Sequence, residues 1–253
     1  RVYIDTNIVE LVKPGYGIRE AYRIIDKHFG GINSVEIMVN AHKQDAFKDP
    51  AVVHALDDFA QEVLTEHKDF VARVHGLHKV AKESHKALTS GKDKDYRIPQ
   101  SKPKLAQTLL SFESADPQTR KLVVGDDWSL SRLSLQVYTK SSYEYEDFAQ
   151  AIRQKLHKHF DPLKDHYPKL ETSITGNILL MMQMANFISE AQIKSFGLVL
   201  LVVTVILLIL YGSVRFGLMA MIPNLLPIAM VLGVLGWFKI PLDSDTVLVL
   251  PIA

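Results

Sequence analysis

An α+β domain fused to α-helical membrane spans is the fold class this 253-residue sequence predicts. Three observations lead there. Charge is partitioned: of 29 Lys and Arg, only Lys194, Arg215 and Lys239 follow residue 190, and of 28 Asp and Glu, only Asp243 and Asp245 do. Residues 195–214 and 216–238 hold no charge at all, and a 20-residue uncharged helix spans roughly 30 Å, about one bilayer core. The front of the chain instead alternates short period-two segments with period-3.6 segments, the pattern of strands and helices in water.

The balance of charge before residue 190 suits a water-exposed domain and argues against a basic surface for nucleic acid. The chain has no Cys, which excludes disulfides, thiolate metal sites and thiol catalysis.

Taken in order, "RVYIDTNIVELV" alternates as a strand and "KPGYG" (Lys13 to Gly17) breaks it. Ile18 to Phe29 puts Ala21, Ile24, Ile25 and Phe29 on one helical face, and Gly30 or Gly31 supplies a left-handed cap. "INSVEIMVNA" (Ile32 to Ala41) reads as a strand. Asp49 and Pro50 read as N-cap and first-turn proline of a helix whose apolar stripe is Val52, Val53, Leu56, Phe59, Ala60 and Val63. "DFVARVHGL" is the next strand, followed by a polar stretch from Lys79 to Pro103 that ends as a loop. A short helix is expected around Leu105 to Phe112, then a strand from Ser129. "YEYEDFAQAIRQKLHKHF" follows as an amphipathic helix whose entry, at Tyr143 and Tyr145, reads as solvated, and "KLETSITG" as a last strand. The soluble part thus reads as two β–α–β subdomains, about 1–78 and 104–176, within a domain of residues 1–190. From Asn177 a helical pattern runs to Ser213, roughly 55 Å at ~1.5 Å per residue, and would join this domain to the first span. The spans are expected at about 195–214 and 216–238, with a third starting from 243. That third run reaches only Ala253, so the sequence reads as a piece of a larger polypeptide, with no signal peptide at its start.

Several stretches, in order, resemble the resistance-nodulation-division (RND) superfamily: "DTN", "FGG", "KDPAVVHALDDF", "YRIPQ", "SITGNILL", "YGSVRFGLMAMIPNLLPI" and "IPLDSDTVLVLPIA". The closer likeness is to its MmpL-like and predicted hydrophobe exporters, relatives of hopanoid transporters and, more distantly, of Patched. The resemblance implies a ferredoxin-like porter domain, residues 1–190, on the periplasmic side of a bacterial inner membrane, then membrane helices. That plan occurs twice in the family, and this piece is similar to the second half. The resemblance also implies export of hydrophobic or lipid cargo driven by an ion, here proton, gradient. Expected partners are that cargo, membrane lipid, the remaining membrane helices and first porter domain of the same polypeptide, and a periplasmic partner protein. The coupling carboxylates of the family would fall beyond Ala253. A rival reading is a non-transporting sterol-sensing-type receptor or scaffold with a ligand-binding ectodomain; a third is a protein-translocation helper.

Within this frame, Pro223, Asn224 and Pro227 are the candidate hinge. Proline in a membrane helix frees carbonyls, the two prolines are four apart on one face, and Asn224 offers an amide to an opened turn or a neighbouring helix. A static kink satisfied by packing is the alternative. Asp243, Asp245 and Thr246 read either as a proton path or, more simply, as a helix cap. Met181, Met184, Phe187 and Phe196 are candidates for a cargo-facing groove. A copper reading of Met181, Met182 and Met184 yields to their apolar context. His75, His78 and His85 share a helix side if that stretch is helical, yet no acidic cluster completes a zinc site, so solvated histidine is expected. Serines 129, 131 and 134 lack a nucleophile-elbow setting and no phosphate-cradling glycine loop occurs. The sequence therefore predicts no enzyme, no metal and no cofactor.

Overall fold

A computed structural model describes residues 15–114 and 117–238. It divides into two compact units, one of Val9–Lys140 with Glu144–Leu179, the other formed largely by Leu180–Ala253. The strand expected in residues 1–12, and Asp243, Asp245 and Thr246, lie outside the described residues.

The first unit is α+β. Among the described residues its strands are β1 (Asn33–Asn40), β2 (Val71–His75), β3 (Leu130–Val137) and β4 (Glu171–Thr175). All neighbouring pairs are antiparallel, in the order β2-β3-β1-β4. Helix α1 (Gly17–Phe29) precedes β1, α2 (Pro50–Glu66) joins β1 to β2, and α6 (Ser142–Phe160) joins β3 to β4. Between β2 and β3 lie α3 (Leu77–Leu88), α4 (Lys102–Glu113) and α5 (Pro117–Lys121). The two β–α–β units expected from sequence are therefore both present, but they do not form two subdomains. Each unit's strands are parted by a strand of the other, the split β–α–β arrangement, in one sheet.

Strict alternation explains the sheet. Val35, Ile37 and Val39 of β1 and Leu133, Leu135 and Val137 of β3 are fully buried, whereas the residues between them are only half-buried. The helix layer supplies the other half of the core: Val52, Val53, Leu56, Phe59 and Val63 from α2, and Ile152, Leu156 and Phe160 from α6. Phe59 and Phe160 meet with ring centroids 6.1 Å apart, and Phe70 stacks on Phe148 at 4.2 Å.

Local signals set the helix ends. Asp49 is extended, its Oδ1 accepts from the Ala51 backbone N–H at 3.0 Å, and Pro50 follows at the first turn. The Tyr167 hydroxyl donates to the other carboxylate oxygen at 3.0 Å. Asp49→Ala is expected to cost the unit about 1–2 kcal/mol, since it removes a cap and orphans a tyrosine hydroxyl. A urea denaturation series at constant slope measures it; an unchanged midpoint would refute the cap's role. Gly30 caps α1 in the left-handed region at φ 84°, its N–H donating to the Asp26 carbonyl. Helix α1 turns its apolar side outward: Ile18, Ile24 and Phe29 are exposed, and it is Asp26 that grips the sheet, accepting from the Thr139 N–H at 2.9 Å and hydroxyl at 3.0 Å.

Two sequence readings are corrected here, those of the histidines and of Tyr145. The polar stretch after Lys79 is in part a helix, α3, whose inward face carries His78 and His85, each 3% exposed. These two are core residues rather than solvated ones, and His75 sits on β2 instead of beside them. Tyr145 is also buried, donating to the Tyr138 carbonyl at 2.9 Å.

The second unit is helical. Helix α7 (Asn177–Tyr211) is continuous over 35 residues, and α8 (Val214–Trp237) follows after Gly212, φ 56°, and Ser213. Helix α7 thus ends two residues before the Ser213 expected from the sequence, because Gly212 takes the left-handed conformation that ends a helix.

Candidate functional site

Helices α7 and α8 present apolar side chains almost everywhere outward. The 22 residues Glu190–Tyr211 include none that is buried. Leu198, Leu201, Ile206, Ile209 and Leu210 are all more than half exposed, as are Phe216, Met219, Ile222 and Trp237 on α8. Such a surface is a large cost in water and none in hydrocarbon. Polar groups on it are turned back onto their own helix: the Thr204 hydroxyl donates to the Leu200 carbonyl at 2.7 Å.

Near the turn, the helices approach to backbone distance. A Cβ on Gly217 would lie 2.9 Å from the Leu208 Cα and 2.7 Å from its Cδ2. Only glycine permits that contact, the means by which membrane helices pack closely.

Pro223 and Pro227 sit inside α8, which remains helical through both. Each proline lacks an N–H, so the carbonyls of Met219 and Pro223 lose their donors four residues on. Both lie on one face. The Asn224 Nδ2 donates to the Ala220 carbonyl at 3.4 Å, so its amide serves the adjacent carbonyl in its own helix rather than either freed one or a neighbouring helix. The side chain is exposed.

The cargo-facing candidates divide. Met181, Met184 and Phe187 are exposed on α7, at 42%, 63% and 72%, and Phe196 is half-buried. Met182, beside them, is buried. Phe187 and Phe196 are nine residues apart, about 180° around a helix at ~100° per residue, and so lie on opposite sides of α7. Met181, Met184 and Ile188 share a face; Phe187 and Phe196 border it on opposite sides.

Residues 15–252 match the MMPL family. The chain belongs to the MMPL family. It is accordingly part of an RND-type membrane transporter, and Glu190–Tyr211 of α7 and Val214–Val231 of α8 are long and apolar enough to cross a membrane. No curated protein matches the chain.

The water-exposed unit of this MMPL chain carries its own electrostatic features. Glu62 on α2 accepts from Lys155 at 3.0 Å, Lys158 at 2.8 Å and His159 at 2.6 Å on α6. Lys155 also bonds Glu66. Hydrogen bonds from Lys158, Lys155 and His159 hold the Glu62 carboxyl down to about 2. Asp57 on α2 accepts from Lys82 of α3 at 2.5 Å and from Gln61 at 2.9 Å. Beside this pair His78 is neutral: burial pushes it from 6.5 down to about 4, with Asp57 opposing and Lys82, Lys79 and His75 reinforcing the shift. Among the described residues, no group of three His, Asp or Glu is arranged to hold a metal ion.

The sign of the pH effect follows. Unfolded His78 binds its proton below 6.5 and the folded form only below about 4, so folded stability is full above 6.5 and falls as pH drops through that window. The loss is on the order of 3 kcal/mol. Glu62 acts lower, its contribution vanishing between its usual 4.5 and about 2. His78→Leu is expected to flatten melting temperature between pH 6.5 and 4 and leave the steeper fall below pH 4 intact. An unchanged profile would locate the acid sensitivity elsewhere.

Sequence reading passed over Glu36 and Arg132, two opposite charges on the half-buried face of β1 and β3. The signal was present, as charges at the outward positions of two alternating strands, but only the register brings them together.

Proposed function

We propose that this chain is the porter domain and first following membrane helices of an RND-type secondary transporter. It exports hydrophobic or lipidic molecules from a bacterial inner membrane, driven by a proton gradient. The porter domain is ferredoxin-like and periplasmic, and no covalent catalysis takes place in it. The observation that carries the reading is the apolar exposure of the candidate spans in α7 and α8, none of the first and about a tenth of the second being buried, in a chain of the MMPL family. Helix α7 supports the coupling step, because 35 continuous helical residues form a strut roughly 50 Å long at ~1.5 Å per residue. Proton movement in the rest of the bundle shifts this strut and with it the porter domain. The Met181, Met184 and Ile188 face takes the cargo, and the freed carbonyls of Met219 and Pro223 let α8 bend during the cycle.

Vesicles containing the whole polypeptide test the proposal. An imposed proton gradient is expected to move labelled lipid, and an ionophore to stop it. Ligand binding without flux would replace transport by a receptor role. Asn224→Leu is expected to lower flux several-fold while insertion stays normal, since the amide steadies a turn weakened by Pro223 and Pro227. Equal loss of flux and of inserted protein would mark Asn224 as structural only.

A further inference from the structure

On the sheet face away from the helix layer, β1, β3, β4 and the segment Lys121–Gly125 enclose a hollow of about 270 Å³. Met38, Val123 and Leu130 form its apolar wall, and Glu36, Arg132 and Thr175 its polar end. The register builds it: Glu36 stands opposite Ser134 on β3 and Thr175 on β4, and Met38 stands opposite Arg132. Lys121–Gly125 is held alongside β3 by the Arg132 N–H to the Val123 carbonyl at 2.8 Å and by the Ser131 hydroxyl to the same oxygen at 3.0 Å.

The polar end is incompletely paired. The Ser134 hydroxyl donates to Glu36 Oε1 at 2.9 Å. Glu36 Oε2 and Arg132 Nε are both buried without a hydrogen-bond partner, and they stand 3.6 Å apart, beyond hydrogen-bond length. The Glu36 side chain is only 17% exposed. They attract each other as an ion pair, but a buried acceptor and a buried donor that lack hydrogen bonds are still costly unless something bridges them. A cation suits Glu36 but meets Arg132; an anion suits Arg132 but meets Glu36. A neutral group that both donates and accepts, such as a hydroxyl or primary amide, satisfies both atoms at once.

We infer that this hollow binds the neutral hydroxyl or amide head of a small amphiphile, its alkyl part lying against Met38, Val123 and Leu130. Discrimination comes from the head, because an alkyl end leaves Glu36 Oε2 and Arg132 Nε without a hydrogen bond whereas a bridging head supplies one to each. Reading that amphiphile as cargo rests on the proposed transport; the binding itself does not.

Two diazirine-bearing alkyl probes test it on the whole protein in lipid nanodiscs, one ending in a primary amide and the other in a methyl group. After photolysis, peptides containing Met38, Val123 or Leu130 are expected to carry roughly tenfold more amide probe than methyl probe. The double variant E36L/R132L, which removes both charges together, should erase that preference. Leu130→Trp, which fills the hollow without touching the ion pair, should abolish labelling there by either probe. Equal labelling by the two probes, a preference that survives in E36L/R132L, or labelling indifferent to Leu130→Trp would each overturn the inference. Lipid flux in the same preparations separates the two claims: labelling without flux sinks transport alone, and flux without head-selective labelling sinks the site alone.

Discussion

Gly31→Ala is expected to lower the melting temperature of the water-exposed unit by roughly 10 °C, about 3 kcal/mol for a unit of this size. Gly31 has φ 90°, and a Cβ there would lie 2.2 Å from the Val137 carbonyl oxygen and 2.5 Å from its carbon. Both obstacles are backbone of β3, so no rotamer change relieves them, and the left-handed conformation adds ~1–2 kcal/mol of its own. The Gln136 side-chain amide donates to the Gly31 carbonyl at 2.9 Å, which ties the same turn to the sheet and blocks retreat. Gly91 provides the control. Its φ is 71°, but nothing lies within 4 Å of its missing Cβ. Gly91→Ala should therefore cost only the conformational part, ~1 kcal/mol. Circular dichroism melts of both variants measure the contrast; equal losses would show that the close approach to β3 contributes nothing.

Leu201→Arg comes second in size and separates two solvents. Leu201 is 59% exposed, and a substitution this open on a water-bathed surface changes stability by less than ~0.5 kcal/mol. In a membrane, the same change replaces a favourable residue near the middle of a span by one of the worst, a swing of about 3 kcal/mol in insertion. The expected result is a collapse of the membrane-integrated fraction of α7, measured by glycosylation or protease mapping of inserted protein. Normal integration of Leu201→Arg would show that α7 is not surrounded by hydrocarbon.

How much of this could be read in the chain differs from one residue to the next. Asp49–Pro50 and Gly30 act through their immediate neighbours, so the cap and the left-handed turn were legible. Alternation in "NSVEIMVN" and "LSRLSLQV" fixed which side chains face the core. The MMPL kinship was also legible, from ordered motifs rather than from periodicity. What failed was non-local or disguised. Helix α3 hides because its buried face uses His78 and His85, which no apolar count detects. The interleaving of the two β–α–β units depends on β1 pairing with β3 across an intervening helical insert. Asn224 was placed beside Pro223 correctly, yet only the geometry shows its amide returning to Ala220. The hollow at Glu36 and Arg132 is invisible until the strands are in register.

The central claim is that α7 and α8 lie in lipid while the sheet and its helices lie in water. Because the chain has no Cys of its own, single cysteines report this without background. Lys68→Cys, exposed at the end of α2, is to be compared with Leu201→Cys and Leu225→Cys, also exposed in the protein alone. All three are treated with a charged maleimide in opened membrane sheets, where both faces are accessible. The account predicts rapid labelling at position 68 and none at 201 or 225 until detergent is added. Labelling at 201 and 225 as fast as at 68, with no detergent present, would contradict it.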